Sequence, residues 1–137
     1  MEADGSTFVR VDIGQVAFVD GGRETWVPAG ASCRAFPARG SGTPRWDDAP
    51  GELVAAVEAL DRAKPENRLE AAMAVIRVCK GRSSALTLWH LAHDRDARIS
   101  EASWPALVKQ IGAPVGITEP RSPEAEESWK LLLKSRH

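Results

Sequence analysis

Ser83-Ser84-Ala85-Leu86-Thr87-Leu88-Trp89-His90-Leu91-Ala92 leaves this chain little freedom. Its apolar residues recur at spacings of three and four, which selects a helix, and they cover more than one side of it. Leu88, Leu91 and Ala92 share a face, with Ala85 and Trp89 beside it. A short helix with so much apolar surface has to be enclosed by other elements. The stretch is therefore expected to be the hub of a small helical core. Ser83 or Ser84 is placed to cap its first turn by accepting from a free backbone N–H. Asp94-Arg95-Asp96 marks its polar exit.

A chain of 137 residues with 43% apolar content suits one compact domain, or two small lobes sharing an interface. The net charge is −1 with acids and bases interspersed, and no basic stripe carries interleaved aromatics. No nucleic-acid partner is expected. Five Trp without a Tyr point to several large packed contacts. Cys33 and Cys79 sit in segments expected to differ in secondary structure, so one disulfide and two separate thiols are both open. No run approaches the ~20 apolar residues of a membrane span. The acidic start Met1-Glu2-Ala3-Asp4-Gly5-Ser6 has no apolar region of the kind a secretory signal needs, which taken literally keeps the chain where it is made.

Before the hub the pattern is that of strands. Phe8-Val9-Arg10-Val11-Asp12-Ile13 alternates, with Val9, Val11 and Ile13 on one face and Phe8, Arg10 and Asp12 on the other. Val16-Ala17-Phe18-Val19 follows as a second strand. Asp20-Gly21-Gly22-Arg23 reads as a hairpin turn, because glycines supply the positive φ a tight turn needs. Glu24-Thr25-Trp26-Val27 and Ser32-Cys33-Arg34-Ala35-Phe36 complete a small antiparallel meander or the edge of a larger sheet. Residues 37–48 form a Pro/Gly/Ser-rich connector without periodicity, pinned where Trp46 docks.

From residue 49 the period changes to that of helices. Asp48 is expected as an N-cap with Pro50 early in the helix, and Leu53, Val54, Val57 and Leu60 on one face. A second helix over 66–80 carries Leu69, Met73 and Ile76 and closes on Gly81. After the hub, a helix over 100–110 carries Trp104, Leu107 and Val108, ends at Gly112, and needs Pro105 in its first turn. A last helix starts near Ser122-Pro123-Glu124 and buries Ser128, Trp129, Leu132 and Leu133. The segment from Asp94 to Gly112 looks like one unit of a HEAT solenoid, but a solenoid needs stacked repeats to bury its core.

Candidate chemistry is sparse. His90 and His93 with Cys79 fall short of the four ligands of a structural zinc site. Cys79 with His90 lacks an orienting third group and an oxyanion site, and a Cys on an amphipathic stripe is usually a small core hydrophobe. The pairs Asp47/Asp48 and Asp94/Asp96 are better explained by helix capping and solvation than by acid–base work. No metal, cofactor or enzymatic activity is expected. The five Trp read as one anchor per element rather than as a ligand pocket.

Two sets of residues carry a resemblance to a known family. Val9-Arg10-Val11-Asp12-Ile13-Gly14-Gln15-Val16-Ala17-Phe18-Val19, the turn after it and Trp26-Val27-Pro28-Ala29-Gly30 resemble the end of a FecR domain. That domain is the extracytoplasmic module of ferric-dicitrate-type sensor and anti-sigma regulators, with a strand, an x-G-x-V turn, a strand and an L-x-A-G corner. Ala85-Leu86-Thr87-Leu88-Trp89-His90-Leu91, then Ala113-Pro114-Val115-Gly116-Ile117-Thr118 and Trp129, resemble the segment that follows the domain in a subset of these proteins. Complete members carry more strands, usually after a membrane helix, and often a cytoplasmic sigma-factor-binding segment. The resemblance therefore implies a C-terminal portion of such a regulator.

Together these readings give an α+β chain: FecR-like strands over 1–36, a connector over 37–48 and a cluster of four to five short helices over 49–137. The implied role is a non-catalytic, periplasmic sensor or interaction module that binds a protein partner. A cytosolic HEAT-like scaffold is the alternative. Expected partner-binding residues are Phe8, Val9, Val11, Ile13, Phe18 and Trp26. The expected structural core is Trp46, Leu88, Trp89, Leu91, Trp104, Leu107 and Trp129.

Overall fold

The computed structural model describes residues 7–11, 15–20, 23–36, 40–112 and 125–135. It is an α+β structure, with antiparallel strands first and helices after them. The strands are β1 (Thr7–Val11), β2 (Gln15–Asp20), β3 (Arg23–Pro28), β4 (Ala31–Phe36), β5 (Gly40–Ser41) and β6 (Arg45–Trp46). Their pairing is not sequential. β4 takes β1 on one side and the short β5 and β6 on the other, while β2 and β3 form a separate hairpin. Gly30 makes the corner between the two sheets. Its φ of 88° favours glycine, and its N–H donates to the Val11 carbonyl at 2.8 Å, which brings β4 back beside β1. Residues 40–46 thus add two strands where the sequence suggests a connector, because two-residue strands are too short to leave a period.

Alternation decides which side of the sheet is core. Val9 pairs with Cys33, and Val11 with Ala31, which also pairs with Trp46. Val11, Ala31, Cys33 and Trp46 are buried. Phe8 and Arg10 fall on the opposite face and are exposed.

The helices are α1 (Gly51–Arg62), α2 (Arg68–Val78), α3 (Ala85–Ala92), α4 (Ala97–Ile111) and α5 (Glu126–Ser135). Several ends differ from those expected. Pro50 itself is the last residue before α1, so Asp48 lies too far out to cap it. A proline disfavours helical backbone in the residue before it, which rules out an earlier start. Gly81 does not close α2, which ends at Val78. It opens a 3-10 turn over Arg82–Ser84 with a φ of 69°. Ser84 Oγ donates to the Gly81 carbonyl instead of capping α3. The Gln110 carboxamide clamps this turn, accepting from Gly81 N–H at 2.7 Å and donating to the Cys79 carbonyl at 3.2 Å.

Helix α4 starts earlier than expected because Asp96 caps it, accepting from Arg98 N–H at 3.0 Å. Pro105 is therefore inside the helix rather than in its first turn. Its absent N–H leaves the Glu101 carbonyl without its ladder bond. Both residues are exposed, on the solvent side of the helix. Asp94 is not a solvated loop carboxylate. Its side chain is 1% exposed and takes a two-point bond from Arg68 on α2, with Nη1 to Oδ1 at 2.9 Å. It also accepts from Asp96 N–H at 2.9 Å. The start expected for the last helix, at Ser122, lies outside the described residues. Among those residues no helix is long and apolar enough to cross a membrane.

All eight residues of α3 are buried. Its one hydroxyl, Thr87 Oγ1, donates to the Pro44 carbonyl at 3.0 Å and so ties the hub to the strand region. An unmatched hydroxyl at that depth would cost roughly 1–3 kcal/mol. Trp89 of α3 meets Trp26 of β3 edge-to-face at 5.6 Å between centroids. The aromatic contacts continue through His93 to Trp104 of α4 and on to Trp129 of α5. Trp46, Leu88, Leu91 and Leu107 are buried around this line.

Replacing Trp89 by Ala is expected to cost about 3–5 kcal/mol, because it removes a ring that touches both the hairpin and the helices. Leu131→Ala on α5, where the side chain is 65% exposed, is expected to stay within about 0.5 kcal/mol of the parent. Urea unfolding of the two variants measures the difference.

Candidate functional site

The register of the larger sheet gathers on its outer face residues that are far apart in sequence. Phe8 of β1 lies opposite Arg34 of β4, and Arg10 opposite Ser32, which also pairs with Arg45 of β6. The Phe8 ring, 42% exposed, has the Arg34 guanidinium at 5.6 Å and that of Arg45 at 5.5 Å from its centroid. Such cation–aromatic contacts contribute ~0.5–1 kcal/mol each at exposed positions.

The guanidiniums have acidic neighbours. Arg34 Nη2 is 3.4 Å from Glu58 Oε1. Asp47 is 3.3 Å from Arg10 Nε and accepts from the Ser32 hydroxyl. The pair Asp47/Asp48, read from sequence as helix-start residues, thus divides, with Asp47 serving the sheet.

On its other side from β4, β1 has no strand partner among the described residues. An edge strand presents backbone N–H and C=O groups in a row, ready to pair with another chain. With Phe8 and Arg10 beside that row, this face is the candidate interaction site.

The residues expected to bind a partner separate accordingly. Phe8 is exposed on the site and Val9 is half-buried at the same edge. Val11 and Trp26 are buried in the core, so neither offers a surface. For Val11 the reason is alternation, and for Trp26 it is enclosure by Trp89 and by α5. Lys130 Nζ stands 5.4 Å and Lys134 Nζ 5.7 Å from the Trp26 ring centroid, as cations over the ring. Ile13 and the side chain of Phe18 lie outside the described residues. Sequence reasoning missed Arg34 and Arg45. Alternation placed Arg10 beside Phe8, but only the register of β4 and β6 adds the other two.

The other chemically able groups are held in structural roles. Cys33 and Cys79 are buried free thiols. Burial pushes Cys33 up to about 12, reinforced by the Asp61 charge, and pushes Cys79 up to about 11. Such thiols are poor nucleophiles near neutral pH. His90 is buried within α3, whereas His93 is exposed, with its ring 4.3 Å from that of Trp89. Among the described residues no three His, Cys, Asp or Glu side chains converge as a metal would require.

Asp61, in the last turn of α1, ties that helix to the chain between β5 and β6. Its Oδ1 accepts from Thr43 N–H at 2.9 Å. A Cβ at Gly42 would lie 2.6 Å from Asp61 Oδ2, so the chain passes here as glycine. Burial pushes the Asp61 carboxyl up to about 6, partly offset by the Thr43 hydrogen bonds and the positive charges of Arg45 and Arg62.

Comparisons with protein-family models, curated proteins and solved structures return no match.

The raised Asp61 value has a definite sign. Its contribution to stability is full below the ordinary carboxyl value of 3.8 and is lost as pH rises through about 6. Asp61→Asn keeps an acceptor for Thr43 and removes the titration. The variant is expected to gain stability over the parent between pH 4 and 7.5, by at most about 3 kcal/mol. Urea unfolding across that range tests this, and a difference independent of pH would refute it.

Proposed function

We propose that this chain is a non-catalytic interaction module of the FecR type, which relays a signal of the extracytoplasmic sigma-factor kind by binding a protein partner in the periplasm. The family part of the reading rests on the sequence resemblance over residues 8–30, 85–91, 113–118 and 129. The single observation that carries the binding mode is the edge strand β1 with Phe8 exposed on it. A partner's extended segment adds to that edge. Its backbone supplies affinity, and side chains meeting Phe8 and Arg10 supply selectivity.

The helices behind the sheet make the edge rigid. Thr87 holds the chain just before β6, and β6 lies against β4, the strand that backs β1. A preformed edge loses less conformational entropy on binding than a mobile one.

A photoreactive p-benzoylphenylalanine in place of Phe8, introduced in the native host, tests the reading. It is expected to form an adduct with a different, extracytoplasmic protein, while the same group in place of Leu131 does not. Val9→Pro, in the chain that carries the photoreactive group at position 8, is expected to abolish capture with the helical circular-dichroism signal unchanged. Adducts of equal yield at positions 8 and 131, or none with another protein at position 8, would overturn the proposal.

A further inference from the structure

We propose that a second copy of this chain occupies the β1 edge when no other partner is bound, pairing β1 with β1 antiparallel about a two-fold axis through Val9. The inference rests on reading β1 as a docking edge and identifies what covers it in the free protein.

Thr7-Phe8-Val9-Arg10-Val11 is self-complementary in one register. Centred on Val9, it places Val9 opposite Val9 of the second copy, Phe8 opposite Arg10, and Thr7 opposite Val11. All five residues are then paired. Both Phe8–Arg10 pairs fall on the outer face, where directly opposed side chains touch. The valines stay on the core side, where Val11 is already buried. Neighbouring registers are worse. A shift of one residue turns the valines of one copy to the solvent face. A shift of two sets Phe8 against Phe8, or Arg10 against Arg10 with like charges opposed.

Charge favours a copy over a strongly charged partner. Arg10 stands beside Asp47 and Arg34 beside Glu58, and Arg45 lies close enough to Asp61 to lower its pKa. Arg10 and Arg34 are thus each matched by an acid at this face, which limits the repulsion between two copies. The Phe8 ring already sits among guanidiniums, which shows the contact it favours.

A two-fold pairing of this kind closes on itself, so it hides the edge without building a filament. It also makes self-association and partner binding mutually exclusive at β1. A five-residue strand buries little area, and the dimer is correspondingly weak and concentration-dependent.

Disulfide trapping tests the register. Directly opposed positions in an antiparallel pair meet disulfide geometry, whereas Phe8 and Phe8 of the two copies, on the diagonal at roughly 7–8 Å, do not. Full-length Phe8→Cys and Arg10→Cys chains, mixed under mild oxidation, are expected to give a disulfide-linked dimer at least about tenfold above either variant alone. The parent chain, whose Cys33 and Cys79 are buried, is the control. Sedimentation of the parent over roughly 1–500 μM is expected to show a monomer–dimer equilibrium that Phe8→Arg weakens at least tenfold.

A monomer throughout, no linked dimer in the mixture, or equal yield from Phe8→Cys alone would overturn the inference. Failure here together with capture of a different protein at position 8 leaves the binding function standing. Self-adducts alone at position 8 would instead leave the dimer and remove that function.

Discussion

The structure depends on a helix that has no solvent side. Every side chain of α3 is buried, so every neighbouring element is obliged to cover part of it. A helix of eight residues is not stable alone in water. It exists because α4, the β6 region and the aromatic line through Trp26, Trp104 and Trp129 enclose it. Burial also requires that its polar groups be satisfied, and the Thr87 bond to the Pro44 carbonyl does this for the hydroxyl while joining the helices to the strands. Within α3 the ring N–H of Trp89 is an exception: no acceptor meets its Nε1 among the described residues. Packing of the large ring evidently outweighs that lost bond.

From this enclosure follows the position of the site. Trp46 is buried on β6, which fixes β6 against β4, and β4 presents β1 at the far side. The same alternation that sends Val11, Ala31 and Cys33 inward sends Phe8 and Arg10 outward. The outer face that carries Phe8 and Arg10 is therefore a by-product of core packing, held in place by residues on the other side of the sheet. Trp26 illustrates the division: it looks like a surface anchor in a short strand, but α5 covers it with Lys130 and Lys134.

Local patterns were legible where a residue acts on its own element. The period of two in residues 8–11, the change to helical spacing after residue 49 and the apolar hub all follow from side-chain geometry within a few residues. Helix ends were less legible, since a cap is chosen among competing polar residues. Asp96 captured the start of α4 and moved Pro105 into its interior, while Asp94, two residues earlier, was taken into the interior by Arg68. Nothing near Asp94 in the sequence marks a partner that lies on a different helix.

By itself the sequence determined the class of the fold, the order of strands before helices, and which face of β1 is apolar, because each depends on periodicity and chain order alone. Only the tertiary structure decided that β1 joins β4 rather than β2, that Phe8 collects Arg34 and Arg45, and that Trp26 is covered. Those outcomes depend on register between segments tens of residues apart. Register is set by the turn at Gly30 and by the shared burial of Val11, Ala31, Cys33 and Trp46, a condition that no single segment contains.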